Sequence, residues 1–160
     1  ALHVSAAPAR WRILGGANVV DGRDPGGCVP DAVVAMCRQA LAAAGLQPHE
    51  IGLLKPQAAG SPANDAAEVL ALRRVFEPLP PLVALKGAIG HTLGASGAAE
   101  IALLTSCLES GAWPGVAYPI DPALRASLAP HAPKAVRHVL ASIHGFGGGH
   151  AAVVLEDGAA

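Results

Sequence analysis

Short apolar runs and longer amphipathic segments alternate along the chain, a pattern that predicts alternating β-strands and α-helices. The apolar runs are typical of strands, and the segments with a repeat of three or four residues are typical of helices. The predicted strands cover residues 12–20, 51–55, 82–85, 135–143 and 151–156, and the predicted helices cover residues 32–44, 66–76 and 98–110. This β-α-β-α-β-α-β-β order indicates an α/β fold: a mixed, mostly parallel five-stranded sheet with helices on both faces and an antiparallel hairpin at the end.

Local signals predict where the helices begin and end. Asp31 is a good N-cap for the first helix, and Gly45 follows it where a left-handed residue commonly ends a helix. Asp65 with Glu68 resembles a capping box at the start of the second helix.

The remaining segments are expected to be irregular and to belong to one domain. We expect a short extended piece at residues 115–118 and a loop at 121–133 with room for one helical turn. A single domain covers residues 1–160, with its core at about 10–156 and tails at 1–9 and 157–160.

The composition indicates a surface that meets other proteins. The chain is 52% hydrophobic and only 14% charged, whereas about 25% charged residues is typical. With so few charges to cover the surface, we expect much of it to contact another chain, in a hetero- or homo-oligomer. The alternative is a chain in which alanine and glycine raise the hydrophobic share without forming an apolar patch.

Several classes of protein are disfavoured. A net charge of -1 without a basic run gives no electrostatic footprint for nucleic-acid binding. No uninterrupted apolar stretch is long enough for a membrane span, and the start lacks the pattern of a signal peptide. The three cysteines form no CxxC pair, which fits a reducing compartment and a cytoplasmic location. The absence of an initiator methionine suggests a trimmed, tagged or excised chain.

The most informative segment runs from Lys86 to Glu100, at a crossing from a predicted strand to a predicted helix. It holds His91 and four glycines, and α/β folds place their chemistry at such crossings. Glycines let backbone N–H groups approach a ligand, and a helix start offers unpaired N–H groups. Glu100 lies in an otherwise apolar helix, so if buried it needs a partner, for which Lys86 is the obvious candidate.

The residues alone leave several functional interpretations open. His91 fits either a functional loop residue or a core histidine that backbone groups satisfy. Phe146 lies among glycines, which suits either an oxyanion-binding backbone N–H or, more simply, a plain turn.

Other kinds of site find little support. A nucleotide site lacks the full G-x-G-x-x-G spacing, and no histidine pair has the i, i+4 spacing of a zinc site, so we predict neither cofactor nor metal. Three cysteines, Cys28, Cys37 and Cys107, occur without an evident base, and none fits a catalytic nucleophile.

Three motifs in this order resemble the C-terminal half of the β-ketoacyl-acyl-carrier-protein synthases, a branch of the thiolase fold. The resemblance runs from about residue 10 to 156. Its motifs are Asn64-Asp65-Ala66-Ala67-Glu68, Gly145-Phe146-Gly147-Gly148 and the long K-x-x-x-G-H-x-x-G-A-x-G-A-x-E pattern from Lys86 to Glu100.

The resemblance implies roles for these residues. In the family the N-terminal half carries a nucleophilic cysteine, and two histidines of the C-terminal half assist decarboxylation of a malonyl unit and stabilise the enolate. His91 matches the second histidine, and Lys86 with Glu100 matches a supporting ion pair. Asp65 matches the acid that closes the first histidine loop, and Phe146 matches the residue whose N–H is half of the oxyanion hole.

The chain also departs from the family pattern. Gln57-Ala58-Ala59 stands where the family has His-Gly-Thr, so Gln57 takes the position of the first histidine. Gly149-His150 replaces the usual Thr-Asn, and His144 stands where phenylalanine is common. The half that would carry the nucleophile is not among these residues.

Three functions follow from these observations. The first is a ketosynthase-like subunit of a fatty-acid or polyketide-type pathway that is inactive as an isolated chain. It would pair with an active ketosynthase or with a chain carrying the N-terminal half. An acyl carrier protein would be a further partner. The second is an active split or excised ketosynthase half in which His91 acts in decarboxylative condensation. The third is a small-molecule or acyl-CoA binding module. The sequence leaves open whether the chain acts as an enzyme.

Overall fold

A computed structural model describes residues 2–115 and 120–160 of the chain. Its sheet has four strands: β1 (Trp11–Val20), β2 (Leu53–Lys55), β3 (His138–Gly145) and β4 (Gly149–Asp157), in the order β1-β4-β3-β2. β4 pairs antiparallel with both β1 and β3, and β2 pairs parallel with β3. β1, β2 and β3 therefore run in one direction and β4 runs against them, which confirms a mixed sheet with a closing hairpin, and one of its three pairings is parallel.

The predicted strand at 82–85 is reduced to isolated bridges. Leu82 pairs with Leu54 on one side and with Leu128 on the other. The N–H of Leu54 donates to the Pro81 carbonyl, and the N–H of Val83 donates to the Leu54 carbonyl. The ladder goes no further because β2 is only three residues long, proline supplies no N–H, and a helical turn begins at Lys86. The sheet therefore has four strands rather than the predicted five.

Four α-helices surround the sheet: α1 (Pro30–Ala44), α2 (Pro62–Arg73), α3 (Lys86–Ile89) and α4 (Ser96–Ser110). Short 3-10 turns occur at Pro48–Glu50, Leu93–Ala95 and Pro122–Leu124. Side chains alternate between the two faces of the strands, so the sheet carries two apolar cores. One core joins α1 and α2 to one face, and the other joins α4 to the opposite face. Helices on both faces agree with the prediction.

Two predicted helix starts were wrong. α1 has Val29 as its N-cap and a proline at its first position, so Asp31 lies in the first turn and forms an ion pair with Arg74 at 2.8 Å. Proline suits the first helical position because its missing N–H is not needed there. α2 likewise begins at Pro62, and the Asp65–Glu68 capping box does not form. Gly45 ends α1 in the left-handed conformation (φ 69°), as predicted.

Other boundaries moved by a few residues. The strand predicted at 135–143 begins at His138 because Ala135 is left-handed (φ 56°), and it continues to Gly145. β4 is longer than predicted at both ends, β1 begins one residue earlier, and β2 is shorter. The loop at 121–133 contains the one expected turn. Of the extended piece predicted at 115–118, residues 116–118 lie outside the described part. No helix in the described residues is both long and apolar enough to span a bilayer.

Candidate functional site

The site lies where β2 and β3 end. Gln57 follows the last residue of β2 by two positions, and His144 is next to the last residue of β3. Because parallel neighbours end at the same edge, these two residues meet there, and the 86–100 segment crosses the same edge. A cavity of about 660 Å³ is lined by Gln57, His91, His144 and Phe146, among others. Of the residues expected at the site, Gln57, Asp65, His91 and Phe146 line this cavity, whereas Lys86 and Glu100 are not among its lining residues.

His91 is exposed, and one of its two ring nitrogens is occupied by the backbone. The N–H of Leu93 donates to Nδ1 at 3.0 Å, and the Ser96 hydroxyl lies 3.1 Å from the same nitrogen. Because Nδ1 accepts a hydrogen bond, the proton of the neutral ring is on Nε2. Leu93 takes a left-handed conformation (φ 53°) to make this contact. His91 therefore presents an N–H donor at the cavity wall.

Gln57 has both ends of its amide bound to one backbone unit. Its Nε2 donates to the His144 carbonyl at 3.2 Å, and its Oε1 accepts from the His144 N–H at 3.3 Å. This pairing fixes which end of the amide is nitrogen, and that nitrogen lies 3.4 Å from His91 Nε2. Two N–H donors therefore lie side by side, an arrangement that can bind an oxygen atom. An amide cannot take up or release a proton at neutral pH.

Glu100 is fully buried and lies between two lysines. Its Oε1 is 2.6 Å from Lys86 Nζ and its Oε2 is 2.5 Å from Lys55 Nζ. Lys86 also donates to the Gln57 carbonyl at 2.7 Å, and Lys55 donates to the Ser142 carbonyl at 2.9 Å. Burial lowers the pKa of Lys55, and the attraction of Glu100 offsets part of that shift. The expected Lys86–Glu100 pair is present, and Lys55, which the sequence places in a strand, is the second cation.

Glu68 holds the loop that contains Gln57. Its carboxylate accepts the N–H of Gln57 at 2.7 Å and the N–H of Ala58 at 3.0 Å. It also accepts from His144 Nε2 at 3.0 Å and from the Ser142 hydroxyl at 3.3 Å. Burial favours the neutral acid, but the hydrogen bonds from His144 and the two backbone groups outweigh it and hold the pKa of Glu68 below its usual value.

Beside Glu68, two histidines face each other in the interior. His144 Nδ1 and His150 Nδ1 are 2.9 Å apart, and the ring planes meet at 65°. His150 is fully buried, and its Nε2 has no hydrogen-bond partner among the described protein atoms. Burial, together with the neighbouring His144, lowers the pKa of His150. These two residues occupy positions where the sequence departs from the family pattern.

Asp65 and Ala58 shape the loop between β2 and α2. Burial and the nearby Glu68 raise the pKa of Asp65, and the backbone of Ala59 and Gly60 offsets part of that shift. Ala58 has a φ of 45°, a left-handed conformation that disfavours residues with a Cβ. The family motif has glycine there. The role of Asp65 in closing this loop stays a prediction, and the alanine at position 58 adds backbone strain.

The Gly145–Gly149 turn presents Phe146 at the cavity. The Phe146 side chain is 90% exposed. Gly147 and Gly148 have positive φ angles of 84° and 79°. A Cβ at Gly148 would lie 1.9 Å from the Asp21 carbonyl, so this position requires glycine. The geometry suits a tight turn, and the role of the Phe146 N–H stays a prediction.

None of the cysteines has the environment of a nucleophile. Burial raises the pKa of the Cys28 and Cys37 thiols to about 12, with a smaller contribution from Glu68, and burial also raises the pKa of Cys107. Protonated thiols are poor nucleophiles. Across residues 2–115 and 120–160, no group of three or more His, Cys, Asp or Glu side chains is placed to hold a metal ion.

Sequence reasoning assigned no site role to Lys55 or Glu68 and did not foresee the contact between His144 and His150. A lysine at the end of a short apolar strand was a usable signal for Lys55, because an interior lysine needs a partner. Glu68 was interpreted as a helix cap because it has the spacing of one. No local pattern signals the histidine contact, since it depends on the pairing of β3 with β4.

Comparisons with known proteins agree with the fold and the motifs. The profile of the β-ketoacyl synthase C-terminal domain matches residues 13–118. The highly reducing polyketide synthase claI of Penicillium crustosum is 31% identical over 94% of this chain, which spans only 7% of that relative. The ishigamide ketosynthase/chain length factor has 27% identity and a TM-score of 0.82, over 90% of this chain and 37% of that one.

A second solved structure gives the same result. The ketosynthase ApeO in complex with its chain length factor ApeC, from Xenorhabdus doucetiae, has 27% identity and a TM-score of 0.83. The match covers 94% of this chain and 40% of that one. This chain therefore corresponds to a minor part of each of these three proteins.

Proposed function

Because the chain belongs to the β-ketoacyl synthase C-terminal domain family, we propose that it is a ketosynthase-like unit of a polyketide- or fatty-acid-type pathway and condenses no acyl groups by itself. The observation that carries the proposal is Gln57 at the position of the family's first histidine, with its amide bound to the backbone of His144. An amide held in this way cannot serve as a general acid or base. Loss of such a group commonly costs about 10²–10⁴ in rate.

The chain also needs a partner to supply a nucleophile. Its three thiols are buried and burial raises the pKa of each, so none of them has the environment of an acyl-accepting nucleophile. Acyl transfer requires nucleophile, proton-transfer group and oxyanion donors in one constellation. In this proposal, the nucleophile comes from a segment or chain that carries the N-terminal half, or from an active ketosynthase.

Exposed apolar side chains near the site support such a partner. Phe146 and Leu93 line the cavity and are 90% and 73% exposed, and Ile89 is 40% exposed. Large exposed apolar side chains grouped around a cavity are typical of a surface that another protein covers. A partner there would also exclude water from His91.

In this assembly the chain supplies the framework of the site. Lys86, Glu100 and Lys55 hold the loop of Gln57 against the start of α4. Glu68 accepts the backbone N–H groups of Gln57 and Ala58 in the same loop. The Phe146 N–H serves as one oxyanion donor. An acyl carrier protein would bring the substrate to the assembled site.

A second candidate function is an active split or excised ketosynthase half. The exposed His91 and its Nε2–H proton favour it, because an exposed ring with one free N–H can still polarise a carbonyl. The Gln57 amide nitrogen, 3.4 Å away, would be a second donor to a thioester or enolate oxygen.

Reconstitution with a chain carrying the nucleophile half separates the two candidates. The complex is incubated with an acyl donor and a malonyl carrier protein, and intact-mass adducts and condensation products are measured. We expect no product from the wild type, product from Gln57→His, and none from Gln39→His, a matched control at an exposed glutamine of α1. Wild-type turnover abolished by His91→Ala would establish the second candidate. Turnover that His91→Ala leaves unchanged would remove any role for His91.

A further inference from the structure

Three positions that depart from the family pattern form one hydrogen-bonded group. The Gln57 amide binds the backbone N–H and carbonyl of His144, and the His144 ring contacts His150. Glu68 joins the group by accepting from the His144 ring and from the Gln57 N–H. These three positions therefore form a single connected structure.

The protons of the imidazole pair can be counted from its contacts. His144 Nε2 carries a proton, since its partner Glu68 is an ionised carboxylate that only accepts. One proton occupies the 2.9 Å contact between the two Nδ1 atoms. In the neutral pair His150 Nε2 therefore holds a lone pair. An added proton must either sit on that buried nitrogen, which has no acceptor among the described protein atoms, or put two N–H groups against each other.

The surroundings offer limited compensation for an added proton. Glu68 is the anion in direct contact, and it already binds four donors. Other titratable groups lie near the pair or near Glu68 on each neighbouring element. They are Asp21 after β1, Cys28 in the loop before α1, Cys37 in α1, Lys55 in β2, Asp65 in α2, and His91, which contacts Gln57. Burial and the neighbouring imidazole lower the pKa of His150, in agreement with the geometry.

The imidazole pair closes the base of the Phe146 turn. His144 and His150 are opposite each other in β3 and β4, followed by the Gly145–Gly149 pair. Two backbone hydrogen bonds connect the turn to the loop after β1. The Gly147 N–H donates to the Pro25 carbonyl at 2.8 Å, and the Asp21 N–H donates to the Gly148 carbonyl at 2.9 Å. Separation of the two rings would therefore loosen both of these bonds.

We propose that Glu68, His144 and His150 are positioning residues that hold Gln57 and the Phe146 turn in place. We call this set of contacts the lock, and we propose that an added proton on the imidazole pair breaks it. Opening frees the Gln57 amide from the His144 backbone and moves the Phe146 N–H. The lock stands on its own contacts, and only its consequence for catalysis rests on the proposed function.

Hydrogen exchange of the chain tests the lock without any partner or turnover. Protection factors of the Asp21 and Gly147 amides are measured from about pH 7.5 to about pH 5, with Val154 as a reference in the core of β4. In the wild type we expect Asp21 and Gly147 to lose protection as pH falls, by up to about tenfold per pH unit for one linked proton. Val154 should remain better protected than both of these amides at every pH.

The test variant is His144→Phe with His150→Asn, which installs the residues common in the family. We expect its Asp21 and Gly147 protection to be independent of pH. The control is His49→Asn, at an exposed histidine, which should behave as wild type. An equal loss of protection in the double variant, or Asp21 and Gly147 protection equal to that of Val154 at low pH, would overturn the proposal.

Imidazole nitrogen signals of the wild type give a second readout should the double variant not fold. We expect His150 to stay neutral at pH 7 and to gain a proton only as Asp21 and Gly147 lose protection. Protonation of His150 with both amides still protected would contradict the lock. A failed condensation assay would leave these measurements unaffected, so the two proposals can fail separately.

Discussion

Replacing Glu100 with glutamine removes the anion between two buried ammonium groups. Glu100 is fully buried, and Lys55 and Lys86 are 1% and 8% exposed. Each lysine lies within 2.6 Å of one carboxylate oxygen. Glutamine preserves the size of the side chain and one acceptor oxygen, so the substitution changes charge with little change in packing.

The size of the effect follows from leaving charges uncompensated. Removing one partner of a buried ion pair costs about 3–5 kcal/mol. Here a single carboxylate serves two cations, but Lys55 can shed its proton more easily than an exposed lysine because burial lowers its pKa. We therefore expect Glu100→Gln to lower the free energy of unfolding by about 3–5 kcal/mol, a large share of the ~5–15 kcal/mol of a typical domain.

Urea unfolding monitored by circular dichroism measures the loss. Glu109→Gln is the matched control, because Glu109 is exposed on the same helix and accepts from the Trp11 indole at 2.8 Å. We expect it to change stability by less than about 0.5 kcal/mol. Adding Lys55→Met to Glu100→Gln should recover part of the loss by removing one unpaired charge. A loss below about 1 kcal/mol, or no recovery with Lys55→Met, would refute the reasoning.

Three further predictions concern strain, pH and thiol reactivity. Ala58→Gly should raise the free energy of unfolding by about 1 kcal/mol because Ala58 is left-handed, and the control Ala59→Gly should not. Equal changes in melting temperature for the two variants would contradict this. The free energy of unfolding should be highest above pH 6.5 and fall as the pH decreases below it, because the folded state holds the pKa of His150 below its ordinary 6.5. It should fall again below about pH 4.5, because the folded state holds the pKa of Glu68 below its ordinary value. His150→Asn should flatten the first of these falls, and a pH profile identical to wild type would argue against the assignment. Cys28 and Cys37 should resist iodoacetamide at pH 8 in the folded chain and react after denaturation, since burial raises their pKa to about 12; rapid labelling of the folded chain, followed by peptide mass analysis, would contradict it.

The element order could be predicted because it is encoded locally. The apolar runs and the helical repeat each extend over only a few residues, and Gly45 ended α1 as its position indicated. The motif from Lys86 to Glu100 identified the family for the same reason, since its residues are close in the sequence. The errors at Asp31 and Glu68 arose where prolines at 30 and 62 began the helices earlier than the side-chain pattern implied.

The tertiary structure decided which buried groups are partners. Lys55 and Glu100 are far apart in the sequence and meet only because β2 and α4 approach each other at the edge of the sheet. Gln57 and His144 likewise meet because β2 pairs with β3, and His144 meets His150 because β3 pairs with β4. The sequence by itself determined the elements and the family. The buried polar contacts followed from packing, because a side chain removed from water must find its partner among residues that only the complete fold brings near.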